Sequence, residues 1–591
     1  MKKISLTLIV AVIMLWAPVA SGAGVSGREF YDKAKECLAK GSLDEAIENL
    51  SKAIESAPSY AEAYFERGNA HESRKDYDLA IADYNRAIKI KSRYADAFIN
   101  RGNIYYNKGE FEKAISDYTR AMDINGASVE ARANRALTYA RLGQFDQAIF
   151  DYNKAIDYSD DDAYLYVDRG RVYNEKSMFK EAMADFNRAL KLDPLCADAY
   201  LNRGLTSARL GNFKEALNDY NKAIELAPDN AEAYLRRGIS YANQNEPERS
   251  MSDINKALEL DDGYAEVYLN RGNLFFNQGQ SEAAILDYNK AIELNGQYAE
   301  SYFNRGVAYA KMRDYKQAIY DYSKAIDLRP DCGEIFFNRA NVYFNQEEFD
   351  KAIADYTKSI ETSKDDIDSY INRGIAYAKK GDTTAATADF KKALEINPKS
   401  PAAYFNLALI CDGKIQYEDS LKYYAKAIEA NPKYIEAYLN RGIVYSNRTQ
   451  YDRAIDDFNK AISIDPKNAE GYFNRGLVYD NKGEYDRAIS DYNKFIELNP
   501  EYTSGYINRG IIYVKKGMYD KAIHDFDRVI IYDPVSANAY FNKALVCEKV
   551  GRIKDAIEAY RNFVKHATPK LSMYVEGAKE KIEELEKSGR L

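Results

Sequence analysis

Asparagine recurs at multiples of 34 residues along most of this 591-residue chain. The side-chain amide both donates and accepts hydrogen bonds, so a row of amides can bind a peptide backbone whatever the ligand's side chains are. Asparagine is a mediocre helix former, and its recurrence at one spacing needs a reason. The twelve asparagines, called the asparagine ladder below, are Asn100, Asn134, Asn202, Asn270, Asn304, Asn338, Asn372, Asn406, Asn440, Asn474, Asn508 and Asn542.

Three short segments add an aromatic ring to two further amides. An aromatic side chain beside three amides could hold a side chain or a sugar ring of a ligand, because aromatic anchors dominate many interfaces. The alternative is that the ring only packs against the following repeat. The three sets are Asn103, Tyr106 and Asn107; Asn273, Phe276 and Asn277; and Asn341, Phe344 and Asn345.

Side chains for catalysis or metal binding are scarce. The only histidines are His71, His524 and His566, too few and too scattered for a metal cluster or a histidine-based triad. The sequence contains no glycine-rich phosphate loop, and we therefore expect no enzyme activity, metal or cofactor. The five cysteines are expected to be small buried fillers, since even Cys332 and Cys411 are more than two repeats apart.

The elements that position these residues follow from the spacing itself. A 34-residue period runs from Gly27 to Lys570 without an insertion or deletion. Such a period predicts a stacked array, in which each repeat buries its apolar face against its neighbours. Repeats 1 to 16 begin at Gly27, Ala61, Ala95, Val129, Ala163, Ala197, Ala231, Ala265, Ala299, Gly333, Ile367, Pro401, Ile435, Ala469, Thr503 and Ala537.

Each repeat reads as two antiparallel helices. Counting from the first residue of a repeat, positions 4, 8 and 11 are aromatic, small and mostly aromatic, a spacing that places them on one helical face. Glycine stands at position 15 in nine repeats, where the first helix should end, and proline at position 32 in nine repeats should end the second. Pro247 falls in the first turn of its second helix, where proline is tolerated.

These residues closely resemble the tetratricopeptide repeat, over all sixteen repeats. The resemblance implies an all-α fold, a right-handed α-solenoid superhelix of helix–turn–helix repeats. Position 8 is always Gly or Ala, and position 20 is Ala in fourteen repeats, so we expect the two helices to approach closely beneath the ring at position 4.

In the packing of that family, positions 2, 6, 9 and 13 line a concave groove, which makes the ladder at position 6 a candidate peptide-binding row. The asparagines could instead form hydrogen bonds between helices, or they could be a relic of duplication. Positions 9 and 13 vary far more than position 6, which duplication alone does not explain. Position 2 is acidic in eleven repeats, indicating basic ligands, although acids there also offset the helix dipole.

An ion pair is predicted inside most repeats. Position 7 is Arg and position 23 is Asp in the same thirteen repeats, and repeats 1, 12 and 16 lose both partners together. The two positions flank the facing stripes of the helices, so a bridge within each repeat is feasible. We expect a structural role, in which deleting one partner of a semi-buried pair is destabilising.

The ends of the chain predict export and capping. Residues 1–23 have the basic start, apolar centre and small-residue exit of a secretory signal peptide, with an uncleaved anchor as the alternative. We divide the rest into a linker at 24–26, the array at 27–570 and a C-terminal capping helix at 571–591, whose apolar face is Leu571, Val575, Ala578, Ile582 and Leu585.

Charge and composition limit the partners. Removing Lys2 and Lys3 with the signal leaves 81 basic and 91 acidic residues, a formal charge of −10, which disfavours nucleic-acid binding. No later segment is apolar enough to span a membrane. We therefore expect a periplasmic or secreted, non-catalytic scaffold that binds extended polypeptide, basic segments among its ligands. The alternative is a glycan-binding accessory in envelope polysaccharide assembly or export.

Overall fold

A computed structural model describes residues 26–588. The predicted signal peptide, all of the linker except Ser26, and residues 589–591 lie outside this range. The described chain is helical without any strand, and every 34-residue repeat forms two helices of 13 and 14 residues. It divides into two compact parts, one ending at Asn295 and the other beginning at Gly296.

The first part contains eight helix pairs. Its helices are α1 (Gly27–Ala39), α2 (Leu43–Ser56), α3 (Ala61–Ser73), α4 (Tyr77–Ile90), α5 (Ala95–Asn107), α6 (Phe111–Ile124), α7 (Val129–Arg141), α8 (Phe145–Tyr158), α9 (Ala163–Glu175), α10 (Phe179–Leu192), α11 (Ala197–Arg209), α12 (Phe213–Leu226), α13 (Ala231–Asn243), α14 (Pro247–Leu260), α15 (Ala265–Asn277) and α16 (Ser281–Leu294).

The second part contains eight further pairs, a 3₁₀ turn at Pro569–Leu571 and a last helix. Its helices are α17 (Ala299–Lys311), α18 (Tyr315–Leu328), α19 (Gly333–Asn345), α20 (Phe349–Thr362), α21 (Ile367–Lys379), α22 (Thr383–Ile396), α23 (Pro401–Gly413), α24 (Tyr417–Ala430), α25 (Ile435–Asn447), α26 (Tyr451–Ile464), α27 (Ala469–Asn481), α28 (Tyr485–Leu498), α29 (Thr503–Lys515), α30 (Tyr519–Tyr532), α31 (Ala537–Lys549), α32 (Ile553–His566) and α33 (Ser572–Ser588).

Position 15 forms the turn between the two helices of each repeat. Its φ is positive in all sixteen repeats: nine times at a glycine and seven times at another residue, from Lys75 to Thr449. Glycine adopts this left-handed conformation without the steric penalty that a Cβ brings. The predicted end of the first helix is therefore confirmed, and it persists where the sequence lacks the glycine. Pro247 begins α14, as predicted.

The close approach of the two helices is real, but a different ring fills it. At Gly68, an added Cβ would lie 2.6 Å from Cε1 of Tyr84, and at Gly374 an added Cβ would lie 2.6 Å from Cε1 of Phe390. The ring facing position 8 is thus the one at position 24, on the second helix. The expectation that the position-4 ring covers this contact is wrong. That ring lies beside the arginine at position 7 instead, as in Tyr200, whose ring centroid is 5.5 Å from Cζ of Arg203.

The predicted ion pair is confirmed in all thirteen repeats. In each one Nε and Nη2 of the arginine donate to the two carboxylate oxygens of the aspartate, at 2.6 to 2.9 Å. The aspartate side chains are at most 10% exposed. Two-point binding of this kind fixes geometry as well as charge.

The same arginines also reach the preceding repeat. In eleven repeats Nη1 donates to an Asn, Ser or Thr side chain at position 25 of the repeat before, as Arg373 does to Thr357 Oγ1 at 3.0 Å. One guanidinium therefore joins both helices of its own repeat to the second helix of its neighbour. The sequence pattern predicted only the first of these two connections.

Two of the three repeats without the pair form other contacts at position 7. In repeat 12, Leu407 is buried in an apolar cluster against which Tyr423 packs, so hydrophobic contact stands in for charge. In repeat 16, Lys543 pairs with Asp527 at position 25 of repeat 15, at 2.6 Å. When the arginine at position 7 is replaced, the residue that contacts position 7 is thus replaced as well, by Tyr423 in repeat 12 and by Asp527 in repeat 15.

The last helix covers the end of the array. Ala578 and Leu585 of α33 are buried in the cluster formed with α30, α31 and α32, and Leu571, Val575 and Ile582 pack against it. These are the five residues predicted to form one apolar face. The apolar surface that a further repeat would cover is therefore buried by α33.

We predict that the arginine–aspartate pair behaves as one element. Arg373→Leu should lower the stability of α21 and α22 by about 3 kcal/mol, because it leaves Asp389 buried without its partner. Arg373→Leu combined with Asp389→Tyr, which copies the natural residues of repeat 12, should recover most of that loss. Native-state hydrogen exchange of the two helices measures both changes, since a long array does not unfold in two states. A double variant as unstable as the single one would contradict the prediction.

Candidate functional site

A cavity lies between the first helices of neighbouring repeats. In the second part of the chain, α19, α20 and α21 enclose about 230 Å³. Its lining consists of positions 9, 12, 13 and 24 of repeat 10 and positions 6 and 9 of repeat 11. These are Asn341, Phe344, Asn345, Tyr356, Asn372 and Ile375. The structure thus brings one predicted aromatic and amide set together with a member of the asparagine ladder.

An equivalent cavity in the first part of the chain has a charged lining. Between α7, α8 and α9 about 390 Å³ is lined by Leu137 at position 9, Tyr152 at position 24 and four ionisable groups. Those groups are Arg141, Asp168, Arg171 and Glu175. Burial raises the pKa of the Asp168 carboxyl, while Arg171, 3.4 Å away, opposes that shift. This cavity and the one at α19–α21 are lined by residues at similar repeat positions, but only the cavity at α7–α9 has arginines and acids in its lining.

A third cavity of the same kind lies at the end of the array. It measures about 660 Å³ and is lined by Leu545, Glu548 and Lys549 at positions 9, 12 and 13 of repeat 16 and by Tyr560 at position 24. Here α33 supplies the wall that the next first helix supplies elsewhere. Variable residues at fixed positions therefore line three cavities along the chain.

The asparagine ladder lies at this surface, and at least eight of its twelve members donate a hydrogen bond through Nδ2 inside the described chain. Asn202 is buried and the other eleven members are half-buried. Nδ2 donates to the backbone carbonyl four residues earlier in Asn202, Asn270, Asn338, Asn406 and Asn440. These bonds use one N–H group of each amide and do not involve the amide oxygen.

Three ladder members instead form an interhelix hydrogen bond. Nδ2 donates to Oδ1 of an asparagine at position 9 of the preceding repeat, in the pairs Asn100 with Asn69, Asn134 with Asn103, and Asn372 with Asn341. An interhelix hydrogen-bonding role for the ladder is therefore confirmed at these three positions. It is compatible with ligand binding, because the bond uses one N–H group of the ladder amide and does not involve its oxygen.

The asparagines at position 9 are held by the second helix. Oδ1 of Asn103, Asn273 and Asn341 accepts a hydrogen bond from the tyrosine hydroxyl at position 24 of the same repeat, at 2.8, 2.9 and 2.6 Å. Burial raises the pKa of Tyr356, so this hydroxyl stays protonated and donates. The sequence pattern did not predict this contact, although Asn at position 9 always occurs with Tyr at position 24 in this chain.

The rings at position 12 pack on their own repeat. The Tyr106 ring centroid is 5.6 Å from that of Phe111, and the Phe344 ring centroid is 5.4 Å from that of Phe349. The Tyr106 and Phe344 rings therefore pack within their own repeat, and the Tyr106 hydroxyl also accepts a hydrogen bond from Arg141 Nε of the following repeat at 3.0 Å. Phe276 is half-buried like the other two rings, while the position-13 amides Asn107, Asn277 and Asn345 are exposed.

About half of the acidic residues at position 2 have ionic partners within the chain. Glu62 pairs with Lys91 at 3.0 Å, Glu266 with Arg236 at 2.6 Å, and Asp198, Glu232 and Glu300 also lie near arginines. The remaining six form no ion pair with another described residue: Asp96, Glu130, Glu334, Asp368, Glu436 and Glu470. Ion pairs within the chain therefore neutralise only some of the acidic side chains at position 2.

Residues 26–588 contain neither a membrane-spanning helix nor a metal-binding cluster. No helix in this range combines the length and the apolar character needed to cross a bilayer. No group of three or more His, Cys, Asp or Glu side chains in the same range is placed to hold a metal ion. The five cysteines are free thiols, and Cys37, Cys196 and Cys547 are buried.

Comparison with family models identifies the array. Models described as tetratricopeptide repeat match residues 95–126, 129–162, 299–332, 367–400 and 469–502; 31–97 and 507–570; 423–456; and 231–264 and 401–434. A further model, described as TPR repeat, matches 170–211, 207–245, 272–312, 340–381 and 448–483. The chain belongs to the tetratricopeptide repeat family. Tetratricopeptide repeat proteins bind peptides and proteins and are generally non-catalytic scaffolds.

Solved structures with a similar fold share little sequence with this chain. A tetratricopeptide repeat protein from Parabacteroides merdae is 23% identical, over 48% of this chain and 99% of that one, with a TM-score of 0.35. Yeast Tom70 is 18% identical over 72% and 96%, with a TM-score of 0.34. YrrB, described as a TPR protein with an unusual peptide-binding site, is 23% identical over 30% and 92%, with a TM-score of 0.25. No curated protein matches the chain.

Proposed function

We propose that this tetratricopeptide repeat protein is a non-catalytic scaffold that holds extended polypeptide along its first helices. The observation that carries the proposal is the recurrence of one cavity geometry with different linings, neutral at α19–α21 and charged at α7–α9. A constant frame with variable linings suits a ligand whose side chains differ from residue to residue. Extended polypeptide is such a ligand.

The asparagine ladder supplies a row of acceptors in this proposal. Its amide nitrogens bond within the chain at eight positions, so the oxygens are available to ligand N–H groups. Backbone N–H groups of a ligand occur at every residue except proline, which makes recognition independent of sequence.

The acids at position 2 favour ligands with basic side chains. Six of them form no ion pair with another described residue, and Glu334 and Asp368 line one open cavity of about 540 Å³ with Asp331 and Asp366. The amide oxygens of the ladder add further acceptors on the same side of the first helices. Lysine and arginine side chains would meet carboxylates there without a competing basic residue in the lining.

We also propose that the protein works outside the cytoplasm, in a bacterial-type envelope or beyond. The support is the sequence of residues 1–23, which has the layout of a secretory signal. Trp16 is the only tryptophan, so the processed protein should fluoresce from tyrosine alone. Purification from the native host tests this, and tryptophan emission together with an intact N-terminus would contradict cleavage.

Binding of peptides from a random 12-residue library tests the main proposal. Asn338, Asn372, Asn406 and Asn440, changed together to Ala, should weaken binding of peptides selected on the unchanged protein by at least about a hundredfold, since each of the four lost hydrogen bonds contributes about 1 kcal/mol. Titration by fluorescence anisotropy with the selected peptides measures the change.

The matched control removes polar side chains from the second helices of the same part of the chain. Thr357, Asn459 and Asn493, which bond to arginines of the following repeats, are changed to Ala. This variant should lose some stability and keep its affinity. Unchanged affinity in the ladder variant would remove the ladder from the proposal. Failure of the library to yield any binder, with binding on a glycan array, would replace it with the glycan-binding alternative.

A further inference from the structure

The cavity between α19, α20 and α21 differs from its equivalents in having no charged side chain in its lining. Three asparagines, one phenylalanine, one tyrosine and one isoleucine enclose about 230 Å³. A water molecule occupies about 30 Å³ in the liquid, so the cavity has the volume of roughly eight water molecules. That space is large enough for one amino-acid side chain. The lining combines amide groups with an aromatic ring and an aliphatic side chain.

Hydrogen bonds inside the chain set the orientation of the Asn341 and Asn372 amides, whereas the third amide, that of Asn345, is exposed. Oδ1 of Asn341 accepts from the Tyr356 hydroxyl at 2.6 Å and from Nδ2 of Asn372 at 3.2 Å. Asn341 therefore has its Nδ2 donor left for a ligand, and Asn372 has its Oδ1 acceptor left. Asn341 and Asn372 lie side by side on neighbouring first helices, and together they present one donor and one acceptor in fixed positions.

We propose that this cavity is a specificity pocket for a carboxamide side chain, glutamine or asparagine, of the bound polypeptide. A carboxamide offers one acceptor and one N–H donor group, and so complements Nδ2 of Asn341 and Oδ1 of Asn372 together. Phe344 and Ile375 supply apolar surface for the methylene groups. This inference rests on the proposed function, since it assigns one residue of the extended ligand to one place in the array.

Other side chains leave part of the pocket unpaired. A carboxylate brings only acceptors, so Oδ1 of Asn372, which is also an acceptor, has no donor to bond to. A lysine ammonium brings only donors, so Nδ2 of Asn341, which is also a donor, has no acceptor to bond to. Leucine fills the space and leaves both amide groups without partners, which is unfavourable in a half-buried site. The charged cavity at α7–α9, with two arginines and two acids, has no such preference for a neutral ligand.

Selection from the random library on the full chain tests the pocket. In peptides aligned on their other preferred residues, one position should be enriched in Gln and Asn by about tenfold over Glu, Lys and Leu. Asn372→Asp places a carboxylate in the lining and should shift that position to Lys or Arg. Gln346→Glu is the matched control, because it makes the same change of amide to acid at the exposed end of α19, outside the lining, and should leave the enrichment unaltered.

A second variant covers the case in which Asn372→Asp fails to fold. Tyr356→Phe removes the hydroxyl that positions Asn341 and should reduce the preference for Gln over Glu severalfold, while total peptide binding persists. Tyr322→Phe, at the same position of the preceding repeat where position 9 is valine, should leave the preference intact. A selected library without carboxamide enrichment, or with an enrichment that Asn372→Asp and Tyr356→Phe both leave unchanged, would overturn the pocket while the scaffold proposal stands. No selected peptide at all would overturn both.

Discussion

The two-point hydrogen bond between the arginine at position 7 and the aspartate at position 23 is the constraint on which the rest of the structure depends. A carboxylate that is at most 10% exposed is unfavourable without a partner, and the guanidinium satisfies both of its oxygens. The planar fork of arginine also fixes the direction from which the second helix approaches the first. Its third nitrogen, Nη1, then bonds to position 25 of the repeat before. In the eleven repeats where both contacts are shown, one side chain thus joins the two helices of a repeat and connects that repeat to the one before it.

This constraint keeps the proposed binding surface constant while its chemistry changes. Position 24 follows the fixed aspartate directly, so the ring of Tyr356 or Tyr152 reaches the cavity at the same place in its repeat. Positions 9, 12 and 13 take no part in the arginine network and are free to be amide, aliphatic, aromatic or charged. Differences between repeats at these positions produce different pockets on equivalent frames. In the proposed function, specificity along the array comes from the sum of such local preferences.

The sequence predicted the fold well because its signals are local and repeated sixteen times. Helix ends at position 15, the small residue at position 8 and the pairing of Arg67 with Asp83 all follow from spacing on a helix. The ring that covers position 8 was assigned wrongly, since both position 4 and position 24 are aromatic and spacing cannot say which of them crosses to the other helix. The left-handed conformation at Ile415 was equally hidden, because turn geometry set by the neighbouring helices overrides the preference of a β-branched residue.

The candidate site could be predicted by position and only partly by chemistry. The asparagine ladder does lie between neighbouring first helices, but the bond from Asn406 to the carbonyl of Ala402, or from Asn134 to Asn103, depends on side-chain rotamers that a sequence does not specify. The bond from Nη1 to position 25 crosses repeats and has no helical spacing to reveal it. The sequence indicates this bond where repeats 11 and 12 meet, because both of its positions change there. Lys391 replaces the usual Asn, Ser or Thr at position 25, and Leu407 replaces the arginine at position 7.

In the proposed function, one extended polypeptide lies along the first helices of consecutive repeats. The most direct test places a photoreactive benzoylphenylalanine in turn at Asn345, Lys379 and Asn447, which are position 13 of repeats 10, 11 and 13, and irradiates the full chain with one library-selected peptide bound. Mass spectrometry then locates each cross-link on the peptide. The account predicts attachment sites that advance along the peptide in one direction as the probe moves from repeat 10 to repeat 13. Cross-links to a single peptide residue from all three sites, or cross-links only from probes at the exposed Lys358 and Lys392 on the second helices, would contradict it.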